Sequence, residues 1–154
     1  MSVESRLAEI GLTLPEVAAP VAAYVPAVQA GDLVFTSGQL PMVNGAIAMT
    51  GKVGAEVTPE EAAELAKICA LNAIAAVRGV IGDLDRVVRI VKVTGFVASA
   101  PEFTSQPIVV NGASGVFGQA FGDAGVHARS SLGVASLPLD APVEVELIVE
   151  VRGW

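Results

Sequence analysis

The residues best suited to chemistry lie near the carboxyl end. His127-Ala128-Arg129-Ser130-Ser131 leads through Leu137-Pro138 into the acidic run Val143-Glu144-Val145-Glu146-Leu147. Nine Lys and Arg face sixteen Asp and Glu, so an arginine among small polar residues calls for a reason. Its planar fork can hold a carboxylate through two parallel hydrogen bonds, which a lysine ammonium does not do. Arg129 is therefore a candidate clamp for a small anion; the alternative is an arginine paired with a glutamate at a strand end. Glu144 stands open between a functional acid and a solvated strand glutamate. His127 reads as a surface or interface histidine, with a catalytic role as the alternative because it lies two residues from Arg129. One histidine and one cysteine cannot build a His/Cys metal cluster. No glycine-containing stretch has the form of a phosphate-cradling loop, so no metal and no cofactor are expected.

These residues need a scaffold, and 154 residues suggest one domain. Hydrophobic residues make up 53% of the chain and charged ones 16%, which argues for a large core and against disorder. The apolar excess suggests surface covered by another subunit. A net charge of −7 without a basic stripe disfavours a binder of long RNA or DNA. Cys69 reads as a small buried hydrophobe. No long uncharged apolar run suggests a membrane span or leader, so a cytosolic location is expected.

Residues 2–10 read as a short helix capped by Ser2 and stopped near Gly11. Residues 12–23 read as an extended connection. Residues 25–29 and 33–36 flank Ala30-Gly31-Asp32 as a β-hairpin. Asn44-Gly45 is a turn, with residues 46–49 as a third strand. Thr58-Pro59-Glu60-Glu61 is a helix start with a capping box, and that helix runs to about Ile81 before Gly82. Residues 87–97 form a strand in which Gly95 marks a bulge or a close backbone approach. A second helix spans about residues 107–122, and strands follow at 128–137 and 143–151. The order is β-β-β-α-β-α-β-β after a helical extension. This is an α+β fold with two main helices on one face of a mostly antiparallel sheet. If the last two strands form a hairpin, Val134 lies near Val145 and Arg129 near Glu150. Glu144 then lies about 20 Å from Arg129 at about 3.3 Å per residue. The two residues would then meet only through a bulge, through strong curvature or across a subunit interface.

An ordered set of residues resembles the reactive intermediate deaminase family (Rid or YjgF, formerly L-PSP endoribonucleases). The set comprises Tyr24, Asp32-Leu33-Val34-Phe35-Thr36-Ser37-Gly38-Gln39-Leu40-Pro41, Asn72, Gly82-Asp83-Leu84, Val110-Asn111, Ala128-Arg129-Ser130, Leu137-Pro138 and Val143-Glu144-Val145-Glu146. The resemblance covers roughly residues 19–152, so residues 1–18 are expected to be a helical extension and 19–154 a single Rid-like domain. It implies a fold like the chorismate mutase of bacilli, and a homotrimer whose sheets form a barrel with clefts at subunit interfaces. It also implies hydrolysis of small 2-imino acids to 2-oxo acids and ammonia. Carried over by position, Arg129 grips the substrate carboxylate and Glu144 positions or activates water. Ser37 and Gly38 line the cleft. Tyr24 and Asn111 reach it from a neighbouring subunit, and Ser131 stands where cysteine is frequent. His127 departs from the family's usual proline, and residues 101–125 are longer and richer in glycine.

Three functions compete at this stage: an imine deaminase, a non-catalytic trimer that binds small carboxylates, and the older endoribonuclease or translation-inhibitor assignment. Neither nucleic acid nor membrane is expected as a partner.

Overall fold

The computed structural model describes residues 1–18 and 23–153; the rest of the expected extended connection, residues 19–22, lies outside them. Helix α1 (Val3–Glu9) starts where Ser2 Oγ accepts the Ser5 backbone N–H at 3.0 Å. Its Val3 and Leu7 are buried in the main core rather than packed apart from it. Strands β1 (Ala27–Ala30) and β2 (Leu33–Thr36) form the expected hairpin around Gly31-Asp32. A separate two-stranded ribbon joins β3 (Met42–Val43) to β4 (Ala46–Ile47). Asn44 and Gly45 both take positive φ, 52° and 82°, which turns a two-residue hairpin tightly. The strand before this turn was not expected from the sequence, and the one after it ends at Ile47 rather than at residue 49.

Helix α2 (Pro59–Ile81) has both halves of its capping box: Thr58 Oγ1 accepts the Glu61 N–H, and Glu61 returns the bond to the Thr58 N–H. Strand β5 (Val87–Ala98), helix α3 (Gln106–Phe121), strand β6 (Ala128–Val134) and strand β7 (Val143–Val151) complete the fold. The main sheet runs β1-β2-β7-β5-β6, antiparallel except for the parallel pair β5–β6.

That parallel pair overturns the expected hairpin between the last two strands. Strand β6 pairs with β5 through the α3 crossover, as a parallel neighbour must. Val134 lies opposite Ala98 rather than Val145, and Arg129 opposite Val93 rather than near Glu150. The strand also ends at Val134, not at residue 137.

The sheet is two-faced. Val143, Val145, Leu147, Val149 and Val151 of β7 are buried beneath α2 and α3, while Glu144, Glu146, Ile148 and Glu150 point the other way. That open face also carries Val28, Phe35 and Leu132, which stay 53%, 41% and 45% exposed. Two glycines set the height of α3. A β-carbon on Gly95 would overlap the Val110 side chain, and one on Gly112 would overlap the Ala63 carbonyl of α2. The helix therefore sits low on the sheet and tight against its neighbour, which fixes Asn111 between those two contacts. No described helix is long and apolar enough to cross a membrane.

Candidate functional site

Arg129 is the second residue of the edge strand β6 and shares the helix-covered side of the sheet with its register partners Val93 and Leu147. Its guanidinium reaches α3, where Nη1 donates to Asn111 Oδ1 at 2.7 Å and to Ser114 Oγ at 3.2 Å. Asn111 and Ser114 stand three residues apart and so share a helix face. Among the described residues, Arg129 meets an amide and a hydroxyl rather than a carboxylate, and its Nε and Nη2 edge takes no protein partner. Two parallel N–H groups on that edge have the spacing of a carboxylate. Ser131, two residues along the strand, keeps a buried Oγ with no partner among the described residues.

The second group lies where β2 leaves the sheet. Phe35 pairs with Ile148 and Gln39 with Val145, so the first segment carries one residue more than β7 between those two pairs. The extra residue makes a bulge at Ser37-Gly38. Thr36 Oγ1 fills the widened ladder by accepting the Leu147 N–H at 3.0 Å. Ser37 Oγ donates to the Val25 carbonyl at 2.6 Å, which ties the bulge to the segment bearing the exposed Tyr24. Beyond the bulge, the buried Asn72 side chain of α2 donates to the Leu40 and Met42 carbonyls, both at 3.1 Å. Glu144 lies against Gly38 so closely that a β-carbon there would overlap its carboxylate. Burial, and then the neighbouring Glu146, hold the Glu144 carboxyl above the usual carboxylate range.

The seven residues singled out in the sequence thus fall into two clusters on opposite faces of the sheet. Asn111, Arg129 and Ser131 form one; Ser37, Gly38 and Glu144 form the other, with the exposed Tyr24 next in sequence to the Val25 carbonyl that Ser37 holds. Asn111 is Arg129's hydrogen-bond partner within one chain. Arg129 is level with Leu147 two strands away, and Glu144 lies three residues further along β7. Sheet spacings separate their backbones by about 14 Å, with the side chains on opposite faces. A cavity of about 670 Å³, bordered by Thr13, Val17, Asn44 and Ile68 among others, involves none of the seven. Sequence reasoning missed Ser114; its place one helical turn after Asn111 was the available signal. Among the described residues, no group of three or more His, Cys, Asp or Glu is arranged to hold a metal ion.

Comparison with known proteins matches residues 4–151 to the family described as "YjgF/chorismate_mutase-like, putative endoribonuclease", a match that begins well before residue 19. The chain is 44% identical over 151 residues to protein TCP17 of Trypanosoma cruzi, covering 97% of this chain and 94% of that protein. It also resembles the crystal structure of an Agrobacterium tumefaciens protein of unknown function, at 48% identity and a TM-score of 0.92 over 97% of this chain and 92% of the other. E. coli TdcF, solved with bound serine, is 26% identical with a TM-score of 0.60, covering 90% of this chain and 94% of its own. With the α+β architecture and the ordered residues placed as above, the chain belongs to the Rid/YjgF family of chorismate mutase-like proteins.

Proposed function

We propose that this protein is a cytosolic enamine/imine deaminase that hydrolyses small 2-imino acids to 2-oxo acids and ammonia. The observation that carries this reading is the Arg129 guanidinium, anchored through Nη1 with its Nε and Nη2 edge left for a ligand. Serine bound to the relative TdcF supports it, since serine carries the same α-carboxylate.

A single chain keeps Arg129 and Glu144 on opposite faces, so the working cleft forms between copies. One subunit supplies Arg129, Asn111 and Ser131; its neighbour supplies Tyr24, Ser37, Gly38 and Glu144. The half-exposed Phe35 and Leu132 on the open face suit burial in a homotrimeric barrel. In that cleft Arg129 holds the carboxylate and presents the imine carbon. Glu144, its proton affinity raised by burial, takes a proton from water as the oxygen bonds to that carbon. The C=N electron pair moves to nitrogen and the acid returns its proton there, giving the carbinolamine; Glu144 then carries the hydroxyl proton to that nitrogen as the C–N bond breaks, releasing ammonia and the oxo acid.

The chain's net charge of −7 speaks against an RNA substrate. The test couples the protein to a dehydratase that generates 2-iminobutanoate and follows oxo-acid appearance. Acceleration lost in Arg129→Ala is the expected result. A correctly assembled protein that binds 2-oxobutanoate yet gives no acceleration would replace the enzyme with a carboxylate-binding trimer.

A further inference from the structure

His127 holds a place in the Arg129 cluster that the deaminase reading does not use. Its Nδ1 lies 2.7 Å from the Gly125 carbonyl oxygen and its Nε2 lies 2.9 Å from Ser114 Oγ. A carbonyl oxygen only accepts, so Nδ1 carries the ring hydrogen. In the neutral ring Nε2 is then an acceptor and takes the Ser114 O–H. The hydroxyl's lone pair is left facing Arg129, whose Nη1 donates to it at 3.2 Å. The direction of every bond follows: Arg129 to Ser114, Ser114 to His127, His127 to Gly125. Phe117 meets the imidazole edge-on, with ring centres 5.9 Å apart and planes at 86°, and holds the ring in that orientation. Gly125 is buried in the short 3-10 turn Gly122–Gly125 that closes α3, so the far end of the chain of bonds is fixed to the fold.

We infer that His127 and Ser114 are positioning residues for Arg129, orienting its guanidinium so that the Nε and Nη2 edge meets the substrate carboxylate. The pair does not touch the reacting carbon. A helical serine left alone tends to bond its own helix at the carbonyl four residues back. The His127 acceptor draws the hydroxyl hydrogen away and so keeps the lone pair on Arg129. Asn111 holds one Nη1 hydrogen and Ser114 the other, and with both bonds made the guanidinium plane has no freedom to rotate.

This inference rests on the carboxylate-clamp reading, and its test separates the two. His127→Phe keeps a ring against Phe117 but removes the acceptor; His127→Gln keeps an acceptor at about the Nε2 position; Ser114→Ala removes the link. Loss of one neutral hydrogen bond should raise KM for a 2-imino acid, and Kd for 2-oxobutanoate, about three- to tenfold. His127→Phe and Ser114→Ala should do this with little change in kcat, and His127→Gln should recover most of it. The chain has one histidine, so its ring nitrogens give an unambiguous ¹⁵N spectrum without ligand. The Nδ1-protonated tautomer is expected, and an Nε2-protonated ring would overturn the inference on its own. An active wild type with unchanged KM in His127→Phe would overturn it while leaving Arg129's role intact. If wild type neither turns over the imine nor binds 2-oxobutanoate, the clamp reading falls and this inference falls with it.

Discussion

The two-cluster arrangement makes a prediction that an intrachain site cannot meet. Let Arg129→Ala and Glu144→Gln chains be co-expressed with different affinity tags and purified through both tags in turn. Every trimer so obtained contains both kinds of chain, in a ratio of two to one either way. In the proposed closed ring each cleft takes Arg129 from one chain and Glu144 from the next. Whichever ratio is present, one junction joins an intact Arg129 to an intact Glu144, so about one-third of wild-type activity is expected. The parent variants, each lacking one group at every cleft, should be nearly inactive. If Arg129 and Glu144 of one chain served the same substrate, every chain would lack one of them and the mixed trimer would match the parents. The register favours the first outcome, with about 14 Å of sheet and a change of face between the two residues. The assay is the dehydratase-coupled rate per trimer. A mixed trimer no faster than its better parent would refute the two-chain site.

Three further outcomes follow from single contacts. Arg129→Lys keeps the charge but loses one of two charge-assisted bonds, worth about 1.5–3 kcal/mol, so kcat/KM should fall about 10- to 150-fold; a loss under about twofold would rule out bidentate binding. Glu144 has its proton affinity raised in the folded state, so the native chain binds that proton more tightly than the unfolded one. Stability then declines as pH rises from about 4.3 through the raised value. Glu144→Gln should abolish turnover yet raise stability at pH 7, by a modest amount because the carboxyl is half exposed and screened by solvent. Melting curves should show the difference vanish near about pH 4. Gly38→Ala places a β-carbon on the Glu144 carboxylate, and should lower kcat/KM about 10²-fold by displacing that group. Unchanged kinetics in Gly38→Ala would mean that the position of Glu144 does not matter.

The elements were legible because their signals are local. The α2 start follows from Thr58, Pro59 and Glu61, and the alternation along β7 assigns its two faces without reference to any neighbour. Pairing is not local, and there the reading failed. The eight residues between β6 and β7 exceed the usual hairpin connection. The succession β5, α3, β6 is moreover the pattern of a parallel crossover unit, a signal that was present but outweighed by closeness in sequence. The family was legible because an ordered set of residues runs along the chain, but the grouping of the candidate site residues was not. Asn111 and Arg129 lie 18 positions apart and meet only because α3 returns over the edge strand. Gly112, a poor helix former by propensity, serves contact with α2.

A parallel edge strand explains why the cluster around Arg129 can hold a charge that the chain does not neutralise. Strand β6 has a neighbour on one side only, so its first residues lie at the border between the helix layer and the outside. Arg129 there can be anchored by neutral groups from α3 on one side while its other edge faces outward. A central strand would have buried the same guanidinium, where an unpaired charge is prohibitive. Glu144 is placed by the opposite logic. It sits on a central strand, partly withdrawn from water over a glycine bulge, and that withdrawal raises its proton affinity. The cation needs the edge and the acid needs the middle, so one sheet of this topology cannot bring both to one pocket. Bringing a neighbouring sheet's middle to this sheet's edge resolves the conflict, which ties the proposed chemistry to assembly.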